Sequence, residues 1–385
     1  MKTLAIISEF NPFHNGHEYL LKKSREITKA DLAISLMSGD FVQRGEPAII
    51  DKFSRADMAM KAGFDMVVEM PVHISLQSAE YFALGSVKIL DKLNVDYLCF
   101  GIENMVPDDF LGKAHTLLEK EELLEELTKK YLENSSFTKA RYDATVEILG
   151  NNDFITSNNI LALEYIRAIK KINSNMKVYP IKRISSVNSD TNLRDSKISS
   201  STAIRANIFD DYKDHVPEYS YELIEKNKAD YGLHESSYEY ELFRFLILLE
   251  RRPMADIIGY EEGLENYLLK IAQKENSFEN FLDQASTSRY TKSRIRRLVL
   301  NYILENKRAF NMYELRFFKV LAFNGKAQYI FNNTKLKSII RKSDQENLSF
   351  TDQIILSQMI DASNLYALGR DRTLFRDYTK KIGRY

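Results

Sequence analysis

The chain predicts an α/β protein: a parallel sheet wrapped by helices in its first half, then an α-helical second domain. Two observations carry that prediction. Short apolar runs alternate with amphipathic stretches up to about residue 181, and strands separated by whole helices pair in parallel through crossovers. Beyond about residue 210 the alternation stops, and Leu, Tyr, Phe, Lys and Arg recur at helical spacing. A length of 385 residues favours two domains, divided as 1–210 and 211–385.

The elements follow in order. Residues 4–8 form an apolar first strand, and the amphipathic stretch opening with Tyr19-Leu20-Leu21 predicts a helix over about 16–28. Leu32-Ala33-Ile34-Ser35-Leu36-Met37 is the second strand. Asp51 caps a helix over about 51–62, on which Arg55 and Asp57 are expected to be solvated. Met66-Val67-Val68-Glu69-Met70 is the third strand, closed by Pro71, and a helix over about 78–93 leads to a fourth at 97–100. The pattern from 107 to 171 is helical, and its acidic run at 119–126 reads as a solvated face. Val178-Tyr179-Pro180-Ile181 resumes the sheet as the fifth strand.

Composition excludes several classes. Lys and Arg number 54 against 54 acids, so no bulk field advertises a polyanion partner. The single cysteine, Cys99, lies in the apolar run Tyr97-Leu98-Cys99-Phe100, which rules out an internal disulfide and a cysteine-based zinc site. No stretch approaches the roughly 18 apolar residues of a membrane span, and the first residues are not a basic-then-apolar leader. A cytoplasmic protein is expected, with no membrane contact and no obligate protein partner.

The chemistry starts at His14-Asn15-Gly16-His17, where the first strand hands over to a helix. Backbone N–H groups and the helix dipole collect phosphate at such a place. When a nucleophile attacks the α-phosphate of a nucleotide, charge builds on the phosphoryl oxygens and on the departing pyrophosphate. His14 and His17 can aim ring N–H groups at that charge, and Gly16 lets the backbone come close. Further along, Lys197-Ile198-Ser199-Ser200-Ser201-Thr202-Ala203-Ile204-Arg205 places consecutive hydroxyls and flanking cations at a helix start, a cradle for β- and γ-phosphates. An ordinary N-cap followed by a surface arginine is the plainer alternative. No cluster of carboxylates or other ligands suggests a resident metal.

The tetrad and the hydroxyl-rich segment resemble the nucleotidylyltransferase superfamily, relatives of the class I aminoacyl-tRNA synthetases. The hydroxyl-rich segment is similar to the mobile Lys-Met-Ser-Lys-Ser loop of that superfamily. The resemblance implies a Rossmann-like fold and adenylyl transfer from ATP. Three longer blocks narrow it: Ser8-Glu9-Phe10-Asn11-Pro12-Phe13-His14-Asn15-Gly16-His17, Ser38-Gly39-Asp40-Phe41-Val42-Gln43-Arg44-Gly45-Glu46-Pro47-Ala48 and Tyr290-Thr291-Lys292-Ser293-Arg294-Ile295-Arg296-Arg297 are similar to the bacterial tRNA(Met) cytidine acetate ligase family. That family activates acetate with ATP as acetyl-adenylate, releasing pyrophosphate. It then passes the acetyl group to N4 of the wobble cytidine (position 34) of elongator tRNA(Met), forming N4-acetylcytidine and AMP.

Carried onto this chain, the ATP pocket would comprise Ile7-Ser8-Glu9-Phe10-Asn11-Pro12-Phe13-His14-Asn15-Gly16-His17-Glu18-Tyr19-Leu20, together with Gly101, Asn158 and Arg183. The last three fall near carboxyl ends of strands or the head of a helix, where open α/β sheets bind ligands. His14 and His17 would stabilise the α-phosphate transition state. Ser199, Ser200 and Ser201, with Arg205 and Lys197, would hold the pyrophosphate. ATP, usually accompanied by Mg²⁺, is the implied co-substrate, with acetate and tRNA as partners.

Two further regions carry weight. Gln43 and Arg44 sit among small residues in the loop at 38–48, placed to hold a carboxylate or an RNA phosphate. Over 289–342, fourteen Lys and Arg stand against two acids, Glu305 and Glu314. Ile295, Leu298, Val299, Tyr302 and Ile303 give that region's first helix one apolar face, leaving Arg296 and Arg297 off it. Arg289, Lys292, Arg294, Arg296 and Arg297 therefore read as contacts to an RNA backbone. A small-molecule adenylyltransferase making a coenzyme or dinucleotide, or a non-catalytic RNA-binding protein on the same scaffold, would share parts of this pattern.

Overall fold

Strands that are apolar on both faces must be covered on both faces, and that requirement organises this chain. In the computed structural model, residues 1–133, 135–184, 192–193, 197–233, 237–370 and 373–385 are described. Five parallel strands form the centre: β1 (Thr3–Ser8), β2 (Leu32–Ser38), β3 (Met66–Met70), β4 (Tyr97–Ile102) and β5 (Lys177–Lys182). They lie side by side in the order 3-2-1-4-5, with Thr3 opposite Leu32 and Ser8 opposite Met37. The order reverses between β1 and β4, so their carboxyl ends open a crevice, the usual ligand site of a doubly wound sheet.

Alternate residues of each strand feed separate cores. Leu4, Ile6 and Ala33 pack with α1 (Asn15–Thr28) and α2 (Lys52–Lys61) on one face. Ala5, Ile34 and Leu36 pack with α3 (Ala79–Lys92) and α4 (Ser157–Lys171) on the other. A third core is wholly helical: residues from Tyr240 to Tyr302 gather around Phe243, Phe281 and Leu298, and its last helix is α6 (Lys292–Ile303). The short α5 (Ser201–Ala206) precedes it in the chain. Among the described residues, no helix is long and apolar enough to cross a membrane.

The expectation of no strand after residue 210 is corrected. Phe317–Phe323 forms β6, antiparallel to β3, with Val68 opposite Val320 and Glu69 opposite Lys319. Lys337–Ile339 (β7) and Gly383–Arg384 (β8) then pair parallel to β6. A seven-residue apolar run inside a basic stretch does not distinguish strand from buried helix by periodicity. Phe317 and Phe318 belong to the core.

Lys319 is buried too, in a cluster of four charges. Its ammonium reaches Glu69 at 2.5 Å and also pairs with Asp377, while Lys52 reaches Glu69 at 2.8 Å and Asp377 at 2.7 Å. Burial pushes the Asp377 carboxyl upward, but Lys319 and Lys52 overcome it and hold the group well below the usual carboxylate range.

Candidate active site

The crevice between the ends of β1 and β4 is a cavity of about 650 Å³. His14 stands at the N-cap of α1 in extended backbone, and its Nδ1 accepts the Gly16 N–H at 3.0 Å. The Nδ1 of His17 in turn accepts the His14 N–H at 3.3 Å. The two rings stack with centroids 3.7 Å apart. Burial, with Arg183 adding to it, lowers the His17 pKa to about 3. Burial, then the neighbouring His17, Arg183 and Arg205, holds His14 well below its ordinary value as well. A neutral imidazole whose Nδ1 is an acceptor carries its proton on Nε2. The tetrad therefore supplies two N–H donors without net charge, suited to charge that develops only in a transition state. Gly16 is required for this: a Cβ there would lie 2.8 Å from His14 Cε1.

The opposite wall comes from β4, β5 and α4. Asn158 donates from Nδ2 to Glu103 Oε1 at 2.6 Å, and Arg183 Nε lies 3.6 Å from the same oxygen. Gly101, Asn158 and Arg183 all line the cavity. A side chain on Gly101 would press on the Arg183 stem, 3.0 Å away at Cγ. Glu103, which positions both partners, was missed from sequence. Its only signal was an acid two residues beyond the glycine at the strand end.

From the carboxyl side, α5 contributes Ser201, Thr202 and Arg205 to the wall. Arg205 Nη1 donates to the Asn11 carbonyl at 2.7 Å. Ser199, Ser200 and Lys197 are not brought to the cavity. Ser200 Oγ accepts the Ala203 N–H at 3.1 Å as the helix cap, and Ser199 Oγ lies 3.0 Å from His215 Nδ1. Exposed Lys197 pairs with Asp214 at 2.8 Å. Within 7–20, Pro12, Phe13, Asn15 and Glu18 face elsewhere: Phe13 is core, Asn15 donates to the carbonyls of Lys197 and Asp214, and Glu18 accepts from Tyr219.

The loop after β2 folds as a hairpin, Phe41–Val42 against Glu46–Pro47, that places Gln43 and Arg44 on the cavity rim. The Gln43 N–H donates to Glu9 Oε1 at 2.9 Å, and the Gln43 carbonyl accepts from Arg297 Nη1 at 3.3 Å. Gly45 has φ +74°, and a Cβ on it would lie 2.5 Å from the Arg297 backbone nitrogen. Hairpin and α6 thus interlock, and two expectations change. Arg297 lines the ATP-sized cavity, and Arg296 pairs with Glu46. Arg289 lies 2.7 Å from Glu261, Arg294 pairs with that same carboxylate, and Lys292 pairs with Asp283. These three remain at or near the surface, each opposite an acid.

Arg55, expected in solvent, is completely buried. It donates to the carbonyls of Glu9 at 2.6 Å, Ser38 at 3.1 Å and Ile50 at 3.1 Å, and also to Gly39. It therefore ties the ends of β1 and β2 to α2. The helix around it, with Phe53, Ala56, Met58 and Ala59 all buried, has no wholly polar face, and that was the available signal. Among the described residues no group of three or more His, Cys, Asp or Glu could hold a metal ion.

Fold and cavity together define a nucleotidyl transferase. The chain belongs to the HIGH Nucleotidyl Transferase family, whose profile matches residues 1–381, and within it to the tRNA(Met) cytidine acetate ligases. A protein of that name from Thermoanaerobacter sp. (strain X514) is 37% identical, over 96% of this chain and 95% of its own length. Another from Clostridium perfringens (strain SM101 / Type A) is 34% identical over 95% of each. The crystal structure of Thermotoga maritima TmcAL in its apo form superposes with a TM-score of 0.87 at 32% identity, covering 100% of this chain and 99% of that one. The same protein bound with alpha-thio ATP superposes with a TM-score of 0.85 at 31% identity over the same shares.

Proposed function

We propose that this protein is an ATP-dependent ligase that activates acetate as acetyl-adenylate and transfers the acetyl group to N4 of the wobble cytidine of elongator tRNA(Met). One observation carries the reading: two stacked, neutral imidazoles with Nδ1 fixed on backbone N–H groups, at the head of a helix in a nucleotide-sized cavity. The relatives' names agree with it, as does the relative that binds an ATP analogue.

In this reading acetate attacks the α-phosphorus, and the Nε2–H groups of His14 and His17 meet the charge that builds there. Arg205 and Arg183, with Ser201 and Thr202, face the triphosphate, and Asn158 and Gly101 complete the nucleotide wall. Ser200 acts indirectly, as the cap that orients α5. Glu9 and Glu46 are the only carboxylates lining the cavity among the described residues, and both already have partners. In this reading Mg²⁺ arrives on ATP as part of the substrate. Residues 1–210 supply most of the adenylation chemistry, and Arg297 reaches the same cavity from α6. Residues 211–385 supply the RNA face, with Arg289, Lys292, Arg294 and Arg296 exchanging their acidic partners for phosphates. The reaction is placed in the cytoplasm, where tRNA and ATP are.

ATP–pyrophosphate exchange with a panel of small carboxylates tests this. Exchange that requires acetate, followed by acetylation of tRNA(Met) cytidine, is expected. Turnover of ATP with a phosphorylated small molecule and no carboxylate would overturn it.

A further inference from the structure

We propose that Glu9 is the general base of the acyl-transfer step, taking the proton from the cytidine N4 amine as it attacks the acetyl carbonyl. The inference rests on the ligase reading above and adds a role for this side chain. An exocyclic cytidine amine is a poor nucleophile, its lone pair being delocalised into the ring. A positioned base that accepts its proton as the N–C bond forms contributes roughly 10²–10⁴-fold.

Few groups on the wall can do this. His14 and His17 already use Nδ1 as acceptors of backbone N–H groups and carry protons on Nε2. Glu46 is paired with Arg296. Tyr165 and Tyr19 are phenols, and burial pushes the first further from ionising. Glu9 differs from all of these. Among the described residues only its Oε1 accepts a hydrogen bond, from the Gln43 N–H, and its side chain lines the cavity.

Its place in the fold fits the step. Gln43 holds Glu9 through its N–H and Arg297 of α6 through its carbonyl. The carboxylate therefore sits where the adenylate cavity meets the basic helix, beside the proposed RNA face. Loss of solvation raises the Glu9 pKa above the ordinary carboxylate value, against the Gln43 N–H, Arg205, Arg44 and Arg55. Those three arginines, from α5, the hairpin and α2, and Tyr165 from α4 are the titratable or charged groups coupled to it. The balance closes without a further reagent. The amine nitrogen bonds to the acetyl carbon, the carbon–oxygen bond to AMP breaks with its electron pair leaving on AMP, and the amine proton goes to Glu9 and then to water.

Glu9→Gln keeps the acceptor for Gln43 but cannot take a proton. Two rates are compared: acetate-dependent ATP–pyrophosphate exchange, and single-turnover acetyl transfer from acetyl-adenylate to tRNA(Met). Transfer is expected to fall at least 100-fold further than exchange, within the range for loss of a general base. Its rise with pH in the unaltered protein should flatten in the variant. Glu9→Asp, a shorter base, should recover part of the transfer. Equal losses in both half-reactions, or transfer within threefold of the unaltered protein, would overturn the role. No acetate-dependent exchange in the unaltered protein would instead overturn the ligase reading itself.

Discussion

Gly16→Ala separates catalysis from stability at one atom. The new Cβ would lie 2.8 Å from His14 Cε1 and 3.0 Å from Nδ1, closer than side chains tolerate, so the His14 ring must rotate away. Two effects on stability oppose each other. Losing the hydrogen bond from the Gly16 N–H to Nδ1 costs about 1 kcal/mol, the usual worth of a helix cap. Replacing glycine by alanine within α1 returns up to about 1 kcal/mol through backbone entropy. The net change in unfolding free energy is therefore expected within about 1 kcal/mol of zero. The rate should behave differently, because a displaced ring no longer presents its Nε2–H to the α-phosphate. Loss of one such donor costs roughly 10²–10³-fold, or about 3–4 kcal/mol of transition-state stabilisation. Urea unfolding and acetate-dependent ATP–pyrophosphate exchange on the same preparation read the two quantities. Exchange within threefold of the unaltered protein, at unchanged stability, would refute the assignment of His14.

The buried charges and the paired histidines make two further predictions. Lys319→Met leaves Glu69 and Asp377 with Lys52 alone. Removing one member of a buried ionic group costs about 3–5 kcal/mol, so a loss under 1 kcal/mol by urea unfolding would show the cluster to be solvated. His17 has a folded pKa of about 3 against an ordinary value of 6.5, so between those values the unfolded chain binds the extra proton. Stability should then rise with pH from about 3 to 6.5 and level off above, less steeply in His17→Ala; identical pH profiles for the two proteins would contradict a neutral, buried His17.

What could be read from sequence was set by how local its cause is. β1 to β5 and their crossovers were legible because each strand is a bounded apolar run followed by a helix-length amphipathic stretch. β6 was not, because Phe317–Phe323 carries Lys319 within a basic segment and becomes a strand only by lying against β3. His14, Gly16 and His17 were legible because four consecutive positions hold the whole motif. Glu103 and Arg55 were not, since each acts across distant segments: Glu103 on Asn158 and Arg183, Arg55 on Glu9, Ser38 and Gly39. The reading of Ser199 and Ser200 as phosphate ligands took the three adjacent serines 199–201 as equivalent. The two roles divide at the helix boundary: Ser199 and Ser200 precede α5, where Ser200, in extended backbone, caps the helix through Oγ and Ser199 turns to His215, while Ser201 and Thr202 in the first turn line the cavity.

The pairing of β6 with β3 joins residues about 250 positions apart, as in the Glu69–Lys319 contact. Until the later segment is available, β3 is an unpaired margin carrying a carboxylate, Glu69, with one of its two cationic partners missing. A ribosome making this protein thus has the catalytic motif in hand long before it has the strand that seals the sheet. Non-local pairing of this kind slows folding, and an open margin invites association with another chain. Cutting the gene at the apparent boundary near residue 210 would yield a fragment in that exposed condition, because the one sheet is delivered in two instalments.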